Sequence, residues 1–151
     1  MESNIAFLCA DIGRQFRKHF SDAARECGPT GAQWRVLLFL QRMPGISQGA
    51  LAEQMDVEPI TACRMVDRLE QAGLVERRRD PRDRRVWQLF LTASAEPVVE
   101  ELKTIGMEML DWVTSDLTEE EEALVCSYLM KIRDRFALLD ERKQVRETSN
   151  G

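Results

Sequence analysis

Apolar residues recur at helical spacing over most of this chain, and a strand-like alternation replaces that period between residues 74 and 91. Ile5, Leu8, Ile12 and Phe16 mark a first helix from about Asn4 to Glu26, which Gly28-Pro29 stops. Thr30, with Gln33 three residues on, forms a capping box for a second helix carrying Trp34, Leu37, Leu38 and Leu40. Met43-Pro44-Gly45 ends it. Ser47 is a good N-cap for a short third helix reaching about Met55. After the turn Asp56-Val57-Glu58, Pro59 suits the first position of a fourth helix, where its missing N–H costs nothing. That helix runs to Ala72. Gly73 is its C-cap, and Leu74 stands where a Schellman ending makes its hydrophobic contact.

Leu74 to Arg79 and Arg84 to Leu91 are rich in strand formers, with Trp87, Leu89 and Leu91 alternating against Val86, Gln88 and Phe90. Asp80-Pro81-Arg82-Asp83 between them is a turn, so this stretch predicts a two-stranded hairpin with a charged tip. Thr92 is expected to cap a long fifth helix, in which Val98, Leu102, Ile105, Met109 and Trp112 form a coiled-coil-like seam. Thr118 and Glu121 make a further capping box and open the last helix, whose buried face is marked by Val125, Leu129, Ile132 and Phe136. From Glu141 to Gly151 the chain is polar and is expected to fray.

Short helix, tight turn, longer helix and basic hairpin follow one another, and this order carries the chemistry. On the fourth helix Ala62, Met65, Val66 and Leu69 cluster on one side. Ile60, Cys63, Arg64, Asp67 and Gln71 point the other way, with Thr61 and Arg68 on the flanks. Thr, Cys and Arg near a helix N-terminus suit base edges in a major groove. An ordinary amphipathic surface helix would show the same wheel. The hairpin adds weight: arginines flank its turn, and an arginine at a loop tip can enter a narrow minor groove. Asp83 is near enough to hold one of them by a bidentate pair. The fold class is therefore mainly α with a small two-stranded β-wing, a winged helix-turn-helix. It occupies about residues 1–140, with a reading unit at about 46–92 and a polar tail at 141–151.

The formal net charge of -5, taken alone, opposes binding to phosphates. Its distribution matters more, because arginine dominates Arg77 to Arg85 while Glu119 to Glu122 are acidic. The cysteines Cys9, Cys27, Cys63 and Cys126 are far apart, with no CxxC pair, so neither a metal site nor a disulfide framework is expected. They read as small, mostly buried apolar residues of a reducing compartment. No cofactor is called for. The start Met1-Glu2-Ser3-Asn4 lacks the basic residues of a signal peptide, and no apolar run is long enough for a membrane span, so a cytoplasmic location is expected.

Asp80-Pro81-Arg82-Asp83-Arg84-Arg85, placed after Leu69-Glu70-Gln71-Ala72-Gly73-Leu74-Val75-Glu76-Arg77 and before Leu91-Thr92, resembles the signature of the MarR family of bacterial and archaeal regulators. Gln33-Trp34-Arg35-Val36-Leu37, Pro44-Gly45-Ile46-Ser47-Gln48 and Asp56-Val57-Glu58-Pro59-Ile60-Thr61 match as well. The resemblance extends from about Ile5 to Leu138 and implies a homodimer built by intertwined first and last helices. It implies double-stranded DNA as partner, at a pseudopalindromic operator, with the fourth helix in the major groove and the wing in the minor groove. Arg85 would be the minor-groove arginine and Asp83 its buttress. Cys63 stands where the family often has threonine or serine. The DNA-binding set is then Ser47, Thr61, Cys63, Arg64, Arg68, Arg82, Asp83, Arg84 and Arg85. Members of the family are commonly repressors released by small anionic aromatic compounds, for which Arg14, Phe16, His19 and Trp34 are the pocket candidates. Phe16 and Trp34 fit plain core positions equally well, and His19 a structural or exposed one.

A second branch of the family senses oxidants through an N-terminal cysteine, and Cys9 invites that comparison. It lies about one turn from that branch's position, and the assisting tyrosines are missing, since Tyr128 is the single tyrosine. An enzyme is opposed by one histidine and no nucleophile–base constellation. A winged helix used only for protein contacts is opposed by Arg82, Arg84 and Arg85 at the tip.

Overall fold

The computed structural model describes residues 4–29 and 32–149, without the side chains of 137 and 140–149. The chain falls into two compact units, Met1–Met109 and Leu110–Gly151. Its elements are α1 (Ile5–Ala23), followed by a 3-10 turn Ala24–Cys27, then α2 (Gln33–Arg42), α3 (Gln48–Met55), α4 (Pro59–Gln71), β1 (Val75–Arg79), β2 (Trp87–Leu91), a 3-10 turn Ala93–Ala95, α5 (Glu96–Val113) and α6 (Glu119–Ser149). A mainly helical chain with a two-stranded wing is what the pattern predicted.

The ends of the elements follow local chemistry. Asn4 caps α1 through the Ala6 N–H at 2.9 Å, and Ser47 caps α3 through the Ala50 N–H at 3.1 Å. Pro59 opens α4. At its other end Leu74 donates to the Leu69 carbonyl and Gly73 to the Glu70 carbonyl, both at 2.9 Å, which is the complete Schellman pattern. Gly73 takes the positive φ of 72° that this ending needs. Thr118 and Glu121 exchange their bonds at the start of α6. Thr30 of the expected capping box lies outside the described residues, and α2 begins at Gln33 with Ala32 in the capping position. Thr92 does not cap a helix with its side chain. Its hydroxyl donates to the Gly73 carbonyl at 2.6 Å, tying the wing's exit to the end of α4, and α5 starts after the 3-10 turn. The helix α6 continues through the polar segment 141–149, where fraying was expected.

In the first unit the core is one cluster of Phe20, Ala24, Val36, Leu37, Leu40, Leu51, Met55, Val66, Leu69, Val75, Leu89, Val99 and Leu102, joined by Cys27. Each fully buried Leu or Val contributes about 1.5–3 kcal/mol of hydrophobic transfer, so the reading helices and wing stand on a common apolar base. The wing is larger than the alternation predicted. β1 and β2 pair antiparallel from Val75↔Leu91 to Arg79↔Trp87. Ser47 adds an antiparallel bridge to Gln88. Gly45 donates to the Leu89 carbonyl at 2.9 Å, and Leu89 to that of Ile46 at 3.1 Å. A side chain at 45 would meet the Phe90 ring at 3.2 Å and a φ of 83°, so only glycine fits there. β2 is shorter than expected: Arg84, Arg85 and Val86 belong to the turn.

Several predicted faces stay exposed in the single chain. Ile5, Leu8 and Ile12 on α1, Trp112 on α5, and Val125, Leu129 and Phe136 on α6 are exposed, although Ile132 is half-buried.

Candidate nucleic-acid interface

The reading unit has a neutral balance, because residues 46–92 hold as many arginines and lysines as aspartates and glutamates. What matters is which cations are already paired, and three arginines of β1 are committed within the fold. Arg77 has only 13 % of its side chain exposed. It reaches back from the wing to Asp67 at 2.6 Å and Glu70 at 2.5 Å on α4, and to the Gln48 side chain on α3 at 3.0 Å. Burial pulls its guanidinium pKa down, but the bonds to Asp67 and Glu70 outweigh that and raise it. Arg78 pairs with Glu76 and lies 4.3 Å from the Phe90 ring centre. Arg79 stacks on Trp87 at 3.7 Å and donates to the Arg84 carbonyl at 2.5 Å, bracing the wing tip.

Arg64 and Arg68 on α4, with Arg82, Arg84 and Arg85 on the tip, are exposed and enter no ion pair among the described residues. Thr61 is exposed beside them, and Ser47 is half-buried with its hydroxyl spent on the α3 cap. Cys63 is only partly exposed. Its sulfur lies 3.8 Å from Asp67 and 4.0 Å from Arg77, so it faces this network rather than standing clear of the helix. Asp67, placed on the outer face by the helical wheel, belongs to the same network.

The tip is organised by two aspartates. Asp80 accepts the Arg82 N–H at 2.7 Å, the Asp83 N–H at 3.4 Å and the Gln88 amide at 2.9 Å. The Arg82 N–H, then those from Asp83 and Gln88, hold its carboxyl below the ordinary value despite slight desolvation. Asp83 does not grip a guanidinium as expected: its Oδ1 accepts the backbone N–H of Arg85 at 3.0 Å. The two residues stand in one tight turn, where the backbone donor is nearer than the far end of a long side chain. Asp83 therefore fixes the direction of the chain at Arg85 rather than of its head group.

A second feature of this unit is a cavity of about 470 Å³ lined by Phe20, Trp34, Arg17, Arg35, Leu102 and Lys103 among others. Phe20 and Trp34 pack with ring centres 4.2 Å apart, and the Trp34 N–H donates to Ser21 at 2.9 Å. Of the pocket residues expected from sequence only Trp34 lines it. Arg14 is exposed and paired with Asp11, His19 is exposed, and Phe16 is half-buried away from the lining. Buried Phe20 sets the phase of α1, and Arg17 lies nearer to it around the helix than Arg14, by about 60° against 120°. Arg35 donates to the Met55 carbonyl at 2.7 Å. Burial lowers its pKa, nearby Arg17 lowers it further, and Asp56 offsets part of this.

The cysteines divide. Cys27 is buried, and burial, then the neighbouring Glu101 carboxylate, pushes its thiol up, which makes it inert. Cys9 and Cys126 are exposed rather than buried. Among the described residues no cluster of His, Cys, Asp or Glu could hold a metal ion, and no helix is long and apolar enough to cross a membrane.

Residues 28–86 match the model of the MarR family. BilQ, an HTH-type transcriptional regulator of Clostridium symbiosum, is 34% identical over 132 residues, which cover 87% of this chain and 92% of its own. The HTH-type transcriptional repressor MdtR of Bacillus subtilis is 29% identical over 149 residues, 99% of this chain and 95% of its own. A crystal structure of a mutant MarR from Escherichia coli complexed with operator DNA is similar with a TM-score of 0.70 and 25% identity, covering 85% of this chain and 92% of that one.

Proposed function

Because this chain belongs to the MarR family and is a DNA-binding transcriptional regulator, we propose that it is a cytoplasmic, homodimeric repressor of a pseudopalindromic operator, released by a small aromatic anion. The observation that carries the reading is the sorting of its arginines. Those that hold the fold together are paired or stacked, whereas Arg64, Arg68, Arg82, Arg84 and Arg85 are left to face phosphates and bases. In this reading α4 enters the major groove with Thr61, Arg64 and Arg68. The wing follows the backbone into the minor groove, where Arg85 meets the most negative potential. Ser47 stands at the start of α3, where helix N–H groups suit a phosphate. Cys63 acts through the Asp67–Arg77 network beneath the interface. MdtR is named a repressor, and the Escherichia coli relative is bound to operator DNA; both support the assignment.

A second copy of the chain is the occupant we assign to the exposed apolar residues of α1 and α6, since isologous pairing is the common way to cover such surface. The cavity beside Trp34 has the volume of a site for one small ring compound. Arg17 and Arg35 supply cations with no ion-pair partner among the described residues, and Lys103 adds a third, which suits a carboxylate ligand. Lys103 reaches Glu100, yet that pair is solvent-exposed and weak. An anion drawn to Arg35 competes with the Met55 carbonyl, the bond by which α2 holds the last turn of α3, and so reaches the reading unit.

Footprinting on the DNA flanking the protein's own gene tests the proposal. Two protected major-groove segments about 10 bp apart on one face are expected, and a single unrepeated site contradicts it. Light scattering should give twice the 17.4 kDa chain mass.

A further inference from the structure

From Gly28 to Leu91, the exposed large hydrophobic residues among those described are Ile60 and Trp87. The others of this kind lie on α1, α5 and α6, with Leu117 between the last two. Trp87 has an evident occupation under the Arg79 guanidinium. Ile60 has none: it stands in the first turn of α4 with 59 % of its surface in water. Its neighbours along the same side are polar. Thr61 is adjacent, and Arg64 and Arg68 follow at one and two turns, all exposed and free of ion pairs among the described residues. A branched apolar side chain here is surrounded by groups suited to phosphates and base edges. In a DNA major groove the apolar landmark is the 5-methyl of thymine; the remaining base edges there present donors and acceptors.

We infer that Ile60 is a specificity-determining residue that packs on the methyl group of one thymine in each half-site. The inference rests on α4 being the reading helix and adds to it a base and an atom. Arg64 and Arg68 anchor the helix through hydrogen bonds and charge, and Ile60 sets a preference that charge cannot supply. Cytosine and uracil lack the methyl, so against either base the isoleucine has no apolar group to pack on. Loss of one buried methyl weakens binding about three- to tenfold.

The probe is a duplex that the protein itself selects from a randomised library. Each thymine in turn is replaced by deoxyuridine, which removes the methyl and leaves every hydrogen-bonding group in place. Fluorescence anisotropy then compares the parent with Ile60→Ala, whose exposed side chain makes the fold insensitive to the change. The expected result is one thymine per half-site whose replacement weakens the parent about three- to tenfold. Ile60→Ala should bind the thymine and deoxyuridine duplexes alike and select sequences without a preference at that position. Parental binding indifferent to every replacement overturns the inference, as does a methyl preference of equal size in Ile60→Ala. Failure to select any sequence is a separate result: it removes the reading helix itself, and the inference with it.

Discussion

Replacing Arg77 with methionine should damage both stability and DNA binding, although Arg77 touches no DNA in the reading given above. Methionine keeps the apolar stem and removes the guanidinium with its bonds to Asp67, Glu70 and Gln48. A hydrogen bond to a charged group contributes about 1.5–3 kcal/mol when desolvated, and an exposed ion pair about 0–1 kcal/mol. The Arg77 side chain is mostly buried, but those of Asp67 and Glu70 are 48% and 42% exposed, and water takes them back when the arginine goes. Each pair is therefore worth about 1 kcal/mol, and the total loss is about 2–3 kcal/mol with the Gln48 bonds included. For a chain of this size that lowers Tm by roughly 5–10 °C. DNA binding suffers separately, because two carboxylates lose their counter-charge on the reading helix and repel phosphate. Affinity should fall about tenfold or more at low salt and recover partly in the double variant Asp67→Asn/Arg77→Met. Thermal unfolding at fixed protein concentration and anisotropy at two salt concentrations supply the numbers. A variant within about 0.5 kcal/mol of the parent, the scatter of neutral surface substitutions, that also binds DNA with parental affinity would refute the assignment of Arg77 as the joint between wing and helix.

Asp80→Ala should leave the core intact and loosen the tip, seen as faster amide exchange at Arg82 and Asp83 and weaker DNA binding; unchanged exchange contradicts it. The Asp80 carboxyl should titrate below its ordinary value of 3.8. Its folded pKa is depressed, so its contribution is fully present above 3.8 and is lost as pH falls through the lower folded value. The order of the tip should thus be independent of pH near neutrality, and a carboxyl carbon shift with a midpoint above 3.8 rules this out. Arg35→Met removes the Met55 bond without any ligand, so ligand-free DNA binding should already be weakened and salicylate-like carboxylates should weaken it little further; parental ligand-free binding with an undiminished carboxylate response removes Arg35 from the pocket mechanism.

The fold could be read from the sequence wherever a short signal has one structural meaning. Ser47, Gly73 with Leu74, and the Thr118–Glu121 pair each fixed an element end through local bonds to the backbone, and Pro59 did so by its locked φ and missing N–H, none of which a distant residue alters. The bridging contact of Gly45 to Ser47 with β2 escaped because so short a segment has no period, and its partners Gln88 and Leu89 are remote in sequence. Thr92 departs from the expected cap because its hydroxyl finds the Gly73 carbonyl instead of a helix N–H. The arginines of the hairpin look alike as a charge run, yet strand alternation holds the distinction. Arg77 shares the parity of buried Val75 and pairs across the strands with buried Leu89, while Asp67 and Glu70 present carboxylates one turn apart on α4. The pocket cations Arg17, Arg35 and Lys103 come from three helices, and only their packing brings them together. The apolar residues of α1 and α6 are helical as their spacing implies, but their partner surface is absent from a single chain.

Arg85→Ala tests the central claim most directly, because Arg85 is exposed, unpaired among the described residues and outside the core, so its loss bears on DNA alone. Anisotropy on operator and scrambled duplexes at two salt concentrations, with circular dichroism as the control for folding, reads the effect. The wing mechanism predicts that operator affinity falls ten- to a hundredfold, or roughly 1–3 kcal/mol, with an unchanged dichroism spectrum and a salt dependence flatter by about one unit of slope. Operator binding at parental affinity by the folded variant would contradict it and take the wing out of DNA recognition.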